Sequence, residues 1–472
     1  MAVIAASALA ASALASCAIL PERVPAASAA APEHYASAQT LAATVSDWPQ
    51  ANWWEGYNDP QLSALITEAL ANSPTLAQAQ ARVRAASADV EGAHGAAGPN
   101  LSLNASAVEQ KQSYNFGIPP AFVPQGYNDY GRATLNFNYE FDFWGRNRAA
   151  IAAATSQARA ALADAAEARL ALSTAVAAAY SDFARLTAER AIAARTLEVR
   201  SQTAALVTHR VAAGLDNLGA QRQAEAGPPA ARAQIAALDE ALAQTCNRIA
   251  ALLGAGPDRG LTLTAPAPTA LGAFGLPQNL SANLIGRRPD IVAARWRAEA
   301  ATHRTEQAQA SFYPNVNLVA FLGIESLGLS NLTAQGSDIG SIGPAISLPI
   351  FDSGRLRANL RRADAERDAA VAEYDATLTE ALHQIADVAA SERALDTRLN
   401  ETRAALAANE AAYRLAHDRY DGGLSNYQTV LIAEDAVLAQ RTAVADLESR
   451  RFALDVALVR ALGGGFTSDQ IH

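Results

Sequence analysis

The sequence is poor in sulfur and nearly without lysine: it holds two cysteines, Cys17 and Cys246, one methionine, and Lys111 as its single lysine. Two cysteines exclude a disulfide-stapled scaffold. Basic residues are outnumbered, 37 against 47 acidic, for a formal net charge of −10. With no basic stripe to neutralise phosphates, a nucleic-acid binder is excluded. Beyond the first residues no apolar run reaches the 18 or so that a membrane-spanning helix needs. Aromatics make up only 6% of the 472 residues, and the 50% apolar content misleads because much of it is alanine. Mean hydropathy is accordingly +0.00, and alanine favours helix while filling a core poorly. The seven histidines (34, 94, 209, 303, 383, 417 and 472) never pair at i, i+4, so a helical zinc pair is absent. No GxSxG or phosphate-loop motif occurs, and Gly463-Gly464-Gly465 follows a helical run instead of opening one. Nothing here points to an enzyme, a cofactor or a metal.

What is present begins with a leader. Residues 1–16 are small and apolar, too short to span as a helix but suited to a signal peptide. Leu14-Ala15-Ser16-Cys17 has the form of a bacterial lipobox, which predicts Cys17 as the acylated first residue of the mature chain. Ala18 after it resembles lipoproteins sorted to the outer membrane. Acyl chains on Cys17 would tether segment 17–60 to lipid. Cys246, inside a helical stretch, is read as a packed thiol.

The rest of the chain is an internal duplication. Asn72-Ser73-Pro74-Thr75-Leu76 answers to Arg287-Arg288-Pro289-Asp290-Ile291, and Gly98-Pro99-Asn100-Leu101 to Tyr313-Pro314-Asn315-Val316. Gly145-Arg146 matches Gly354-Arg355, Arg210 with Gly214-Leu215 matches Arg419 with Gly423-Leu424, and Leu253-Gly254 matches Leu462-Gly463, each pair 209 residues apart. The spacing changes only between the proline and Gly-Arg landmarks, 46 residues in one half and 40 in the other, which marks solvent-exposed loops.

Each half predicts the same elements. Repeat one, 61–257, carries helices at 75–97, 146–213 and 217–253 with strands at about 100–113 and 130–143. Repeat two, 284–466, carries helices at 290–312, 355–422 and 425–462 with strands at about 315–325 and 338–350; 258–283 connects the halves and 467–472 is a tail. Apolar residues in the long runs step by four and three at Leu172, Val176, Ala179, Phe183 and Leu186, and again at Leu378, Ala381, Ile385 and Val388. That is coiled-coil spacing. Gly227-Pro228-Pro229 predicts a kink or local break in the third helix, with no counterpart at Ala436-Val437-Leu438. Leu135, Phe137, Tyr139, Phe141 and Phe143 alternate with Thr134, Asn136, Asn138, Glu140 and Asp142, the pattern of a membrane-barrel strand or of a half-buried soluble one. Pro344 and Pro349 suit an edge, bulge or strand end.

Four strands cannot close a barrel, and an open edge in lipid leaves backbone groups unpaired. Copies must therefore associate around one axis. Membrane barrels need at least about eight strands; two copies would supply eight and three would supply twelve. At this point the chain resembles a TolC/OprM-type outer-membrane efflux factor, and within that family a NodT-like lipoprotein. The resemblance rests on Trp53-Trp54 with Tyr57 and Asp59-Pro60, Arg288-Pro289-Asp290-Ile291, Phe312-Tyr313-Pro314, Leu348-Pro349-Ile350-Phe351-Asp352, Gly354-Arg355, Arg419-Tyr420 with Gly423-Leu424, and Leu462-Gly463-Gly464. It implies a mainly helical fold with membrane strands, trimerised into a 12-stranded β-barrel continued by an α-helical barrel, with 18–60 and 258–283 as an equatorial collar. It implies an exit channel for drugs or toxic small molecules, with a periplasmic adaptor and an inner-membrane pump as partners. A duct for type I protein secretion, or a lipid-tethered structural coiled coil, are the alternatives.

The same resemblance makes the turns Gly214-Leu215 and Gly423-Leu424 the adaptor-docking tips. Arg210, Asp216, Arg419, Tyr420, Asp421, Glu434 and Asp435, close to those turns, are the candidates for the aperture and its gate. Threefold repetition would turn each into a ring able to select by charge. The family's pore-facing acid falls on Ile432, which leaves both an ionic and a hydrophobic closed gate open. Trp144, at the strand-to-helix junction, is an interface anchor or a packing residue.

Overall fold

The computed structural model describes residues 25–471 apart from 32–33, 38, 116, 118, 267–274, 279 and 353, so the leader and Cys17 lie outside the described residues. The elements run α1 (Pro60–Asn72), α2 (Pro74–Ala97), β1 (Asn100–Gln110), β2 (Asn128–Phe141), α3 (Arg146–Ala212), α4 (Leu218–Leu252), α5 (Leu280–Arg287), α6 (Pro289–Ala310), β3 (Asn315–Leu327), β4 (Asp338–Ser347), α7 (Arg355–Asp421) and α8 (Tyr427–Ala461). Helices α3 and α7 have 67 residues each, about 100 Å at 1.5 Å per residue. None of the described helices is long and apolar enough to cross a membrane. The chain divides into two compact units, one built from Val83–Ala161 and Ala294–Tyr374, the other from Ala30–Arg82, Leu162–Ala293 and the chain from Asp375 onward.

The first unit holds one antiparallel sheet in the order β1-β2-β3-β4. Register puts Leu103 opposite Leu135, Leu135 opposite Leu322, and Ala320 opposite Ile342. Cross-strand partners share a face, so one face is apolar from β1 to β4. That face is open, with Leu322 64% and Ile342 77% exposed. The other face carries Ser102, Asn136, Asn138 and Ser341, interrupted by Val319 and Phe321. On it Arg132 meets Glu325 at 3.7 Å and lies over the Phe321 ring. Below the strands Trp144 stacks on Tyr313 and donates through Nε1 to the Pro314 carbonyl at 2.9 Å, which gives it a packing role within the chain.

In the second unit the heptad seams are the core. Leu172, Val176, Ala179, Phe183 and Leu186 are all buried, as are Leu378, Ala381, Ile385 and Val388. Around the first seam, Trp53, Trp54, Leu62, Ile66, Ile249 and Leu253 form one cluster. Segment 25–59 meets the connector through a parallel bridge between Val45 and Leu276.

The structure departs from the sequence expectations in three places. Helices α1 and α5 precede the Pro74 and Pro289 landmarks, where no helix was expected. Asp59 caps α1 by accepting from the Gln61 and Leu62 amides, with Pro60 opening the helix, a start signal that the sequence does carry. Strands β1 and β4 end at Gln110 and Ser347, three residues short of the expected limits. Helix α4 runs unbroken from Leu218 to Leu252 with Pro228 and Pro229 inside it. Two missing N–H groups cost two helical bonds, and Ala224 and Ala231 on either side are buried, so packing outweighs the loss. Pro344, opposite Leu318, lies on β4, an outer strand of the single-chain sheet, which agrees with the expected edge position.

Candidate functional site: the two helical turns

Both turns are built alike. At the end of α3 the Leu215 amide donates to the Arg210 carbonyl at 2.9 Å and Gly214 to Val211 at 3.0 Å, with Gly214 at φ +70°. At the end of α7 Leu424 donates to Arg419 at 2.7 Å and Gly423 to Tyr420 at 3.0 Å, with Gly423 at φ +71°. These are Schellman caps, and only glycine holds that left-handed position cheaply. Three residues on, Asn217 and Asn426 accept from the Ala220 and Thr429 amides and start the returning helices α4 and α8. Five residues separate the two helices at each turn, and the side chains of Leu215, Leu218 and Leu424 are left about two-thirds exposed or more.

Just inside the turns the structure gathers Arg210, Asp216 and Tyr420. The Tyr420 hydroxyl donates to Asp216 Oδ2 at 3.0 Å, and the Arg210 guanidinium lies 4.4 Å from the Tyr420 ring centre. Arg210 also stands 3.9 Å from Asp216 Oδ2. Tyr420 is buried at 1% exposure among Val207, Ala224, Ala416, Tyr427 and Val430. Burial and the Asp216 carboxylate push its phenol up to about 12, so it stays a donor at physiological pH. This hydrogen bond ties the α3–α4 hairpin to the α7–α8 hairpin.

Glu434 and Asp435 form a second group, about two turns into α8. Arg200 of α3 donates to both, at 3.3 Å to Glu434 Oε1 and 2.7 Å to Asp435 Oδ1. Asp421 belongs to neither group; it pairs with His417 at 3.0 Å on the exposed surface. Arg419 and Ile432 are exposed. Arg200, Tyr413 and Tyr427 carry no local signal, because the groups they meet lie on other helices. Among the described residues no group of three or more His, Cys, Asp or Glu is placed to hold a metal ion.

The family model described as "Outer membrane efflux protein" matches residues 65–255 and 280–464, most of the chain. The chain belongs to the outer membrane efflux protein family. This efflux protein is 31% identical over 462 residues to the multidrug resistance outer membrane protein MdtP of Escherichia coli K12, covering 93% of this chain and 91% of that one. It is 37% identical over 327 residues to the fusaric acid resistance protein FusA of Burkholderia cepacia, 67% of this chain and 60% of that one. The solved outer membrane protein VceC of Vibrio cholerae superposes with a TM-score of 0.84 at 46% identity, over 89% of this chain and 100% of that chain.

Proposed function

We propose that three copies of this efflux protein close a 12-stranded barrel in the outer membrane, continued by a tube of helices, as the exit duct of a tripartite efflux system. The observation that carries this reading is the single four-stranded sheet. Both outer strands, β1 and β4, lack a further strand partner among the described residues, while its apolar face is exposed. An unclosed edge in hydrocarbon costs several kcal/mol per unpaired group, and three sheets joined edge to edge remove every edge. The polar face then encloses water. Cys17 would add a lipid anchor at the mature N-terminus.

The cargo in this reading is small toxic compounds, delivered by an inner-membrane pump through a periplasmic adaptor. The names of the relatives MdtP and FusA, which refer to drugs and to fusaric acid, support this over protein secretion. The duct is passive. The Tyr420–Asp216 hydrogen bond, with Arg210 beside it, holds the two hairpins together in the closed state. Arg419 and Asp421 face the aperture as rings of like charge, and the docking tips are Gly214-Leu215 and Gly423-Leu424.

Two outcomes test this. Protein in detergent should have the mass of a trimer and, in planar bilayers, conduct; Tyr420→Phe should raise the open-to-closed ratio at least about tenfold. A hydrogen bond to a carboxylate contributes about 1.5–3 kcal/mol and 1.4 kcal/mol is a factor of ten. A stable monomer with a closed sheet would sink the reading. At the tips, an added side chain at Gly423 would meet nothing within 4 Å. Gly423→Trp should therefore leave the trimer intact and abolish site-specific crosslinking to the adaptor. Undiminished crosslinking would remove the docking role.

A further inference from the structure

Arg200 of α3 touches two further helices, α4 and α8. Its aliphatic stem lies against Gly227 of α4, where an added Cβ would stand 3.3 Å from Arg200 Cδ and 3.4 Å from its Cβ. Its guanidinium reaches Glu434 and Asp435 on α8. Gly227 opens the Gly-Pro-Pro triplet that repeat two lacks, so this seat exists in one hairpin only.

Glu434 is the unusual partner. The residue is 4% exposed, and its Oε2 has no hydrogen-bond partner among the described residues. The groups facing it are few. Helix α3 brings Arg200, with Thr196 and Val199 lining the adjacent cavity of about 230 Å³. Helix α7 brings Tyr413, Arg414 and Glu410. Helix α8 brings Tyr427, Asp435 and Arg441, and Arg441 is engaged by Glu410 at 2.7 Å. Asp435 is more than half exposed and keeps its hydration, so Arg200 is the cation on which the buried carboxylate depends.

We propose that Arg200, seated on Gly227, is the counter-ion latch between the two hairpins, and that proton uptake at Glu434 favours their closed arrangement. This rests on the duct reading above. A buried carboxylate with one oxygen unpaired opposes the closed packing when ionised, and Arg200 offsets that cost in part. The protonated acid imposes no such cost. Burial accordingly holds the Glu434 carboxyl above the usual carboxylate range, with Arg200 pulling the other way. Parting of the hairpins would hydrate Glu434 and return it to the ordinary range. The closed form therefore binds the proton more tightly, so acid closes the duct and rising pH releases it. Arg200 acts through Glu434 and is a positioning residue.

The test is single-channel recording of the full-length trimer in planar bilayers between about pH 5 and about pH 8, a window above the ordinary carboxylate range. The unmodified channel should open several-fold more often at the upper end. Glu434→Gln, which keeps the shape of the neutral acid, should stay mostly closed at every pH. Arg200→Ala should raise opening at least about tenfold at the upper end, and adding Glu434→Gln to it should restore closure. Loss of the arginine stem alone would not be rescued at Glu434. Should Arg200→Ala not assemble, Gly227→Leu, which displaces the stem and keeps the charge, should open the channel in the same direction. A pH-independent unmodified channel, or Arg200→Ala left open by Glu434→Gln, overturns the proposal while Tyr420→Phe still opens the pore. Absence of conductance in every variant, Tyr420→Phe included, overturns the duct reading and this proposal with it.

Discussion

Gly463→Ala should prevent accumulation of the trimer, whereas Gly423→Ala should leave it near normal. Both glycines end a long-hairpin helix with the same cap: Gly464 donates to Val459 at 2.9 Å and Gly463 to Arg460 at 3.0 Å, as Leu424 and Gly423 do at the tip. Both have a left-handed φ, +89° and +71°, and in each an alanine costs about 1–2 kcal/mol for that reason alone. Their surroundings differ. A Cβ on Gly463 would fall 1.9 Å from the Arg287 carbonyl oxygen and 3.2 Å from Arg288 Cα, whereas one on Gly423 meets nothing within 4 Å. The backbone it would displace carries Arg288, a buried guanidinium that donates to the Ala461 carbonyl and to Gln384 Oε1, each at 3.0 Å, and grips Asp290 at 2.6 Å. Shifting it strands a buried charge, among the few single changes that cost several kcal/mol. Trimer yield after detergent extraction and size-exclusion measures the contrast; equal yields would show that the cap at Gly463 tolerates movement.

Leu322→Arg should abolish membrane assembly. Leu322 lies near the middle of β3, opposite Leu135 and Gly340 on the apolar face, and is 64% exposed in the single chain. An arginine on the lipid face of a barrel costs up to about 2–4 kcal/mol, and a trimer would bear that three times. Ser102→Arg, on the opposite, polar face beside Asn136, is the matched control and should assemble, because the proposed barrel turns that side to water. Outer-membrane fractionation of the two variants decides the matter. Equal recovery would mean that the Leu322 face does not contact lipid.

Much of the architecture is written locally. Glycines at 214, 254, 423 and 463 stand where an L side chain would be strained, so the helix ends follow from residue type. The alternation from Leu135 to Phe143 gives strand and face together, because side chains in a strand point to opposite sides. Helix α1 was legible in Asp59-Pro60 but stood hidden behind the stronger proline landmark at Pro74. The site was legible only in part. Arg210, Asp216 and Tyr420 could be nominated by their closeness to the glycine turns, but the hydrogen bond that joins Tyr420 to Asp216 links residues 204 apart. Asp421 was nominated on the same ground, and its partner is His417 on its own helix.

From the sequence alone come the duplication, the two uninterrupted 67-residue helices, the four glycine caps and the two-faced strands. All of these depend on backbone propensity and on periods of two or three and a half residues, which neighbouring positions encode. Only the tertiary structure decided that Arg200 joins Glu434, more than two hundred residues away, and that Gly463 is hemmed in while Gly423 stands free. Such facts follow from which helix lies beside which, and no local pattern carries that information.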